Sequence, residues 1–161
     1  MKERAKTSIW EIGLSWPLII FLAALTIPRI LGHDLQLTED GSFINTVLVL
    51  IPMIAWVMVV LWKKVPNPFK ALLIIGLVHG LFLAVIHQFT WETFWDGDLP
   101  RLEGSLEGQF SPTVENVLLR TVAFISSVQT GFFTGVVIGG LTWIFARVWR
   151  KPVEPLKKGK E

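Results

Sequence analysis

Four long apolar runs, at residues 9–31, 43–62, 71–90 and 113–149, constrain this chain more than any other feature. A hydrocarbon layer needs about 20 helical residues per crossing, because each segment must satisfy its own backbone polar groups. The runs therefore predict an all-α fold, an integral membrane four-helix bundle forming a single transmembrane domain, followed by a basic tail at 151–161. Composition agrees: 52% of the 161 residues are hydrophobic and 17% are charged. There are no cysteines, which excludes disulfides, thiolate metal sites and thiol nucleophiles.

The position of the charges sets the expected orientation. Lys2, Arg4 and Lys6 precede the first run, Lys63, Lys64 and Lys70 lie between the second and third, and Arg147, Arg150, Lys151, Lys157, Lys158 and Lys160 follow the fourth. Together they are 12 of the 15 basic residues, whereas the other two connections carry nine of the 13 acids. Because Lys and Arg stay on the cytoplasmic side, the pattern predicts both termini inside, N-in/C-in, in a plasma membrane of prokaryotic type. The basic tail is read as a topology and lipid signal, and no nucleic-acid partner is expected.

In the first segment, Ser8 and Glu11 have capping-box spacing, so a helix is predicted from there with a bend at Pro17. A cleaved signal peptide is the opposing reading, but the run is long for one and lacks a clear cleavage site. Trp10 and Trp16 suit an aromatic belt at the inner interface. Pro52 is expected to kink the second helix, and Pro66-Asn67-Pro68 to form a tight turn that makes the second and third helices antiparallel neighbours. Ser111-Pro112 reads as N-cap and first-turn proline of a final helix too long for the hydrocarbon layer alone.

Small residues recur at every fourth position in two of the runs: Gly76, Gly80 and Ala84 in the third, and Ala123, Ser127, Gly131, Gly135 and Gly139 in the fourth. In lipid such ladders let two backbones approach closely. The two are expected to face each other, with self-association across the fourth helix as the competing use.

Polar groups inside the runs are where chemistry is sought, since each needs a partner or a purpose. Helical phase turns His87 toward the fourth helix and His79 toward another neighbour or lipid. His87, Arg120, Glu92 and Ser127 form the candidate ligand site, with Arg120 expected to pair with Glu92 or Asp96. The structural alternative has His87 bonded to Ser127 or a neighbour and Arg120 reaching outward. Haem is considered through His79 with Met53 or His87 with His33, although no second pass carries a histidine inside it. His33, Asp34, Glu39 and Asp40 are read as a solvated acidic face, and no metal site is assigned.

Motifs of metalloproteases, hydrolases, phosphate-binding loops and dinucleotide-binding folds are absent from the sequence. A non-enzymatic accessory or partner-binding subunit, or a homo-oligomeric carrier, is the leading expectation, with the bilayer and other copies or a larger membrane complex as partners. The alternative is a ligand-, proton- or haem-binding protein with a polar site between the third and fourth helices near the outer face.

Overall fold

The computed structural model describes residues 12–39 and 41–149, in which every regular element is helical. The helices are α1 (Trp16–Ala24), α2 (Ile27–Asp34), α3 (Phe43–Trp62), α4 (Pro68–Phe94) and α5 (Pro112–Trp149), with one 3-10 turn, Gly104–Leu106, before the last. Four stretches are long and apolar enough to cross a membrane: Trp16–Asp34, Phe43–Trp62, Pro68–Phe94 and Pro112–Val148. The capping pair Ser8 and Glu11, Trp10, Asp40 and the tail 151–161 lie outside the described residues.

The first stretch corrects the expected helix. Residues 12–15 are not helical, and Gly13 takes φ +76. Pro17 sits in the first turn of α1, where a missing N–H costs nothing, so it starts the helix rather than bending it. The interruption falls at Leu25 and Thr26, because Pro28 cannot donate to the carbonyl of Ala24 and instead opens α2. Side chains cover the carbonyls at this break: Thr26 Oγ1 donates to Ala23 O at 2.7 Å, and Trp56 Nε1 donates to Leu22 O at 2.7 Å. Pro52 is buried within a continuous α3.

Three helices end alike. After α2, α3 and α4 the chain turns left-handed at Gln36 (φ 55), Lys64 (φ 51) and Asp96 (φ 48). Leu37 N then returns to Gly32 O at 2.8 Å, Val65 N to Val60 O at 3.1 Å and Gly97 N to Glu92 O at 3.3 Å. These are Schellman ends built without glycine at the left-handed residue. The second of them swings Val65 into the core and makes the tight turn before Pro68, whose helix is capped by Asn67 Oδ1 on Lys70 N at 3.0 Å.

Helix α4 is the centre, touching α1, α2, α3 and α5. Against α5 the contact is backbone on backbone: a Cβ on Gly76 would lie 2.5 Å from Gly131 O, and one on Gly80 would lie 3.0 Å from Gly131 Cα. Gly135 meets Leu73 and Gly139 meets Phe69 in the same way, so α5 lies along α4 for about three turns, from Ser127 to Gly139. On the other side of α4, Ile19, Leu22, Trp56, Val60, Val65, Leu72 and Ile75 form a fully packed apolar core with α1 and α3. That core fills the half of the molecule nearest the Val65 turn. Asp34, Asn45 and Ser127 are buried in the opposite half, whereas Thr142 is buried beside the core.

Candidate functional site

Asp34 is the last residue of α2, and none of its surface is exposed. Its Oδ2 accepts from His87 Nδ1 at 2.5 Å and from Thr90 Oγ1 at 2.7 Å, both on α4, and its Oδ1 lies 3.2 Å from His33 Nδ1. An ionised carboxylate only accepts, so each imidazole presents Nδ1–H to it, and a neutral ring keeps Nε2 as its acceptor nitrogen. The expectation of a solvated Asp34 is thereby corrected. It is a buried acid tying the end of the first span to α4.

This residue carried a signal in the sequence that a charge-based reading passes over. The buried positions Ile19, Leu22, Ala23, Thr26, Ile30 and Asp34 follow helical spacing along one stripe. Asp34 continues an apolar face, and the break at Thr26 does not shift its phase enough to turn it out.

Beside this cluster opens a cavity of about 380 Å³ between α4, α5 and the segment at Pro100. His33, His87, Trp91, Phe94 and Trp95 line one wall, and Ala123, Ser126, Ser127 and Thr130 the other. The His33 ring stacks on Phe94 at 5.3 Å and an interplanar angle of 27°. Trp91 is buried, and its Nε1–H has no hydrogen-bond partner. The wall is mostly apolar and aromatic, with few polar atoms, which suits a small organic molecule.

The four residues singled out from the sequence are divided between two places. His87 and Ser127 both line the cavity, but they are not bonded to each other: Ser127 Oγ donates to Ala123 O at 2.8 Å, and the partner of His87 is Asp34. His87 thus lies between α2, which holds it, and α5, across the cavity. Arg120 and Glu92 lie outside the lining. Arg120 donates Nη1 to Gln88 O at 3.0 Å and Nε to Asn116 Oδ1 at 3.4 Å, while its guanidinium stands 5.3 Å over Trp91. Gln88 returns Nε2 to Arg120 O at 3.2 Å, so the two side chains clasp α4 to α5 near the C-terminal part of α4 and the N-terminal part of α5. Glu92 is 83% exposed and 4.0 Å from Arg120, a contact worth little by itself.

His79 is held apart from this cluster. The single proton of Thr26 Oγ1 goes to Ala23 O, so His79 donates Nδ1–H to Thr26 Oγ1 at 2.8 Å, and its ring lies 5.7 Å from Trp56. Among the described residues no group of three or more His, Cys, Asp and Glu is arranged to hold a metal ion.

Comparison with protein-family models, with curated proteins and with solved structures finds no match for this chain. The class that the fold defines is an all-helical membrane protein, with four helices long and apolar enough to span a bilayer.

Proposed function

We propose that the protein binds a small, largely apolar molecule bearing a hydrogen-bonding group in the cavity between α4 and α5, in the manner of a membrane receptor or carrier. The observation that carries this is the pairing, in one aromatic wall, of His87 held by a buried carboxylate with an indole N–H that has no partner. A buried donor left unpaired costs about 1–3 kcal/mol, and a ligand acceptor that meets the shielded Nε1–H as the Trp91 ring turns toward the cavity recovers it. His87 offers the complementary acceptor. A ring with a hydroxyl or carbonyl, sized to about 380 Å³, meets both needs. We place this cavity toward the outer face and both termini inside, on the strength of the basic residues at the Pro66 turn and at both ends.

The test uses the full chain in nanodiscs, with thermal unfolding followed as 4-ethylphenol or a short-chain benzoquinone is added. A saturable rise in melting temperature that is lost in both Trp91→Phe and His87→Ala supports the reading. No rise in the unsubstituted protein, or one kept in both variants, overturns it, and a Soret band in a native preparation would replace it with haem binding. The orientation is checked with a membrane-impermeant thiol label on a cysteine at position 66, which is expected to stay unlabelled in intact cells.

A second reading, a homo-oligomer or a subunit of a larger complex, is favoured by Gln129. It is exposed on α5, one residue from Val128, whose carbonyl faces Gly80 in the middle of α4, and its side-chain amide makes no hydrogen bond among the described residues. An amide at that depth in lipid drives association with another helix, because it can donate to and accept from its own copy.

A further inference from the structure

Arg29 is the charge that the first cavity does not use. It lies in α2, inside the first membrane-spanning stretch, where an isolated cation is expensive and calls for a partner. Yet among the described residues none of its nitrogens takes part in a hydrogen bond or ion pair, and its Nε is shielded from solvent without a partner. The nearest acid along the chain, Asp34, has both oxygens occupied by His33, His87 and Thr90. Arg29 instead faces a second cavity of about 180 Å³ between α2, α3, α4 and α5.

Three features define what this cavity can hold. Its depth is set by Met53 and His79, near the middles of α3 and α4. Its polar lining residues include Arg29, Thr134 and His79. The rest is apolar, with Leu48 and Val49 opposite. A guanidinium offers parallel donors that match a carboxylate, and a neighbouring hydroxyl adds a third donor to the same anion. A free inorganic anion would be matched by the charge but would leave the apolar wall empty.

We propose that Arg29 and Thr134 form a buried binding site for a small monocarboxylate with a short apolar body, held at mid-membrane depth. Leu83 and Thr130 line both this cavity and the larger one, so the two adjoin. A bound carboxylate balances the guanidinium where no acid among the described residues does. The inference goes beyond the reading of the larger cavity, since it concerns other residues and another ligand class.

The experiment titrates acetate, propionate and butyrate into the full chain in nanodiscs, following the melting temperature, with chloride, ethylammonium and dodecanoate in parallel. Saturable stabilisation by the short acids is expected, with little from chloride at equal ionic strength and none from ethylammonium. Arg29→Gln should abolish it, Thr134→Val should weaken the apparent Kd by about threefold to tenfold, and Phe89→Leu, at an 85% exposed position on α4, should leave it intact. Arg29→Lys keeps the charge but loses the fork, so it should narrow the preference for carboxylate over chloride. If Arg29→Gln does not fold, the ligand series on the unsubstituted protein still decides. A chloride response equal to that of propionate, a response kept by Arg29→Gln, or no response to any short acid overturns the proposal. Stabilisation that keeps rising to dodecanoate overturns it too, assigning the carboxylate to a lipid acyl chain instead.

Discussion

Trp56, in the middle of α3, donates its indole N–H to the carbonyl oxygen of Leu22, across the break between α1 and α2, at 2.7 Å. In an unbroken helix that carbonyl would serve the N–H of Thr26, but Thr26 N bonds Ala23 O at 3.2 Å instead. The side chain of one span thus supplies the donor that the next span has lost, which is how a broken helix persists where no water can substitute.

Replacing Trp56 by Phe keeps most of the ring volume and removes the donor. We expect a loss of about 0.5–1.5 kcal/mol, because Leu22 O then keeps only its 3.2 Å bond from Leu25 N in a packed core. Thr26→Val should act similarly at Ala23 O, and should also release the Nδ1–H of His79. Chemical unfolding in detergent, read by helical circular dichroism, measures both. An unchanged Trp56→Phe would mean that the bond contributes nothing net.

Asp34 ties three side chains together in the half of the molecule away from the Val65 turn. Asp34→Ala leaves the Nδ1–H of His87 facing an apolar gap, while Thr90 Oγ1 keeps its bond to Ile86 O at 3.0 Å, and should cost about 1–3 kcal/mol. Asp34→Asn retains an acceptor oxygen and should cost less than half of that. The comparison separates a requirement for charge from a requirement for a hydrogen-bond acceptor, and it is read from unfolding midpoints of the two variants side by side.

Much of the scaffold could be read before any coordinates, because lipid simplifies the problem. Length and apolarity gave four candidate spans, and the fourfold spacing of Gly76 and Gly80 against Gly131 and Gly135 follows from the need for one smooth face on each helix. The first span could not be read in the same way. Pro17 and Pro28 look alike in sequence, and which of them opens a helix and which interrupts one depends on where Thr26 and Trp56 cover the broken backbone. The candidate site was half legible. His87 stood out as a polar residue inside a span, but Asp34 was read as part of a solvated face by its charge and Arg29 was not singled out, although one continues a buried stripe and the other lines a cavity. A rule based on charge alone misplaces acids and bases that have been drawn inward for a purpose.

The glycine contact makes a sharp geometric prediction. Cysteines at positions 84 and 127 should cross-link with a short reagent, since Ala84 and Ser127 continue the two ladders that meet at Gly80 and Gly131. Gly76→Val places a branched side chain where a single Cβ already meets Gly131 O at 2.5 Å and Gly135 Cα at 2.6 Å. Backbone, unlike a side-chain tip, has nowhere to move, so α4 and α5 must separate at a cost of about 1–3 kcal/mol or more. The cross-link should then disappear. Gly140→Ala, by contrast, meets nothing within 4 Å and should be neutral.

The three Schellman ends predict a gain rather than a loss. Gln36, Lys64 and Asp96 each hold a left-handed backbone that costs a residue with a Cβ about 1–2 kcal/mol, whereas glycine adopts it freely. Glycine also loses more entropy on folding, so the net benefit is smaller, about 0.5–1 kcal/mol per site. Asp96→Gly is the cleanest test, because its exposed side chain makes no hydrogen bond in the fold, whereas Gln36 donates Nε2 to Phe94 O at 3.1 Å and would lose that contact. The expected order of melting temperatures is therefore Asp96→Gly above the unsubstituted protein, with Gln36→Gly near or below it. The reverse order would place the stability of these ends in their side chains and not in the backbone turn.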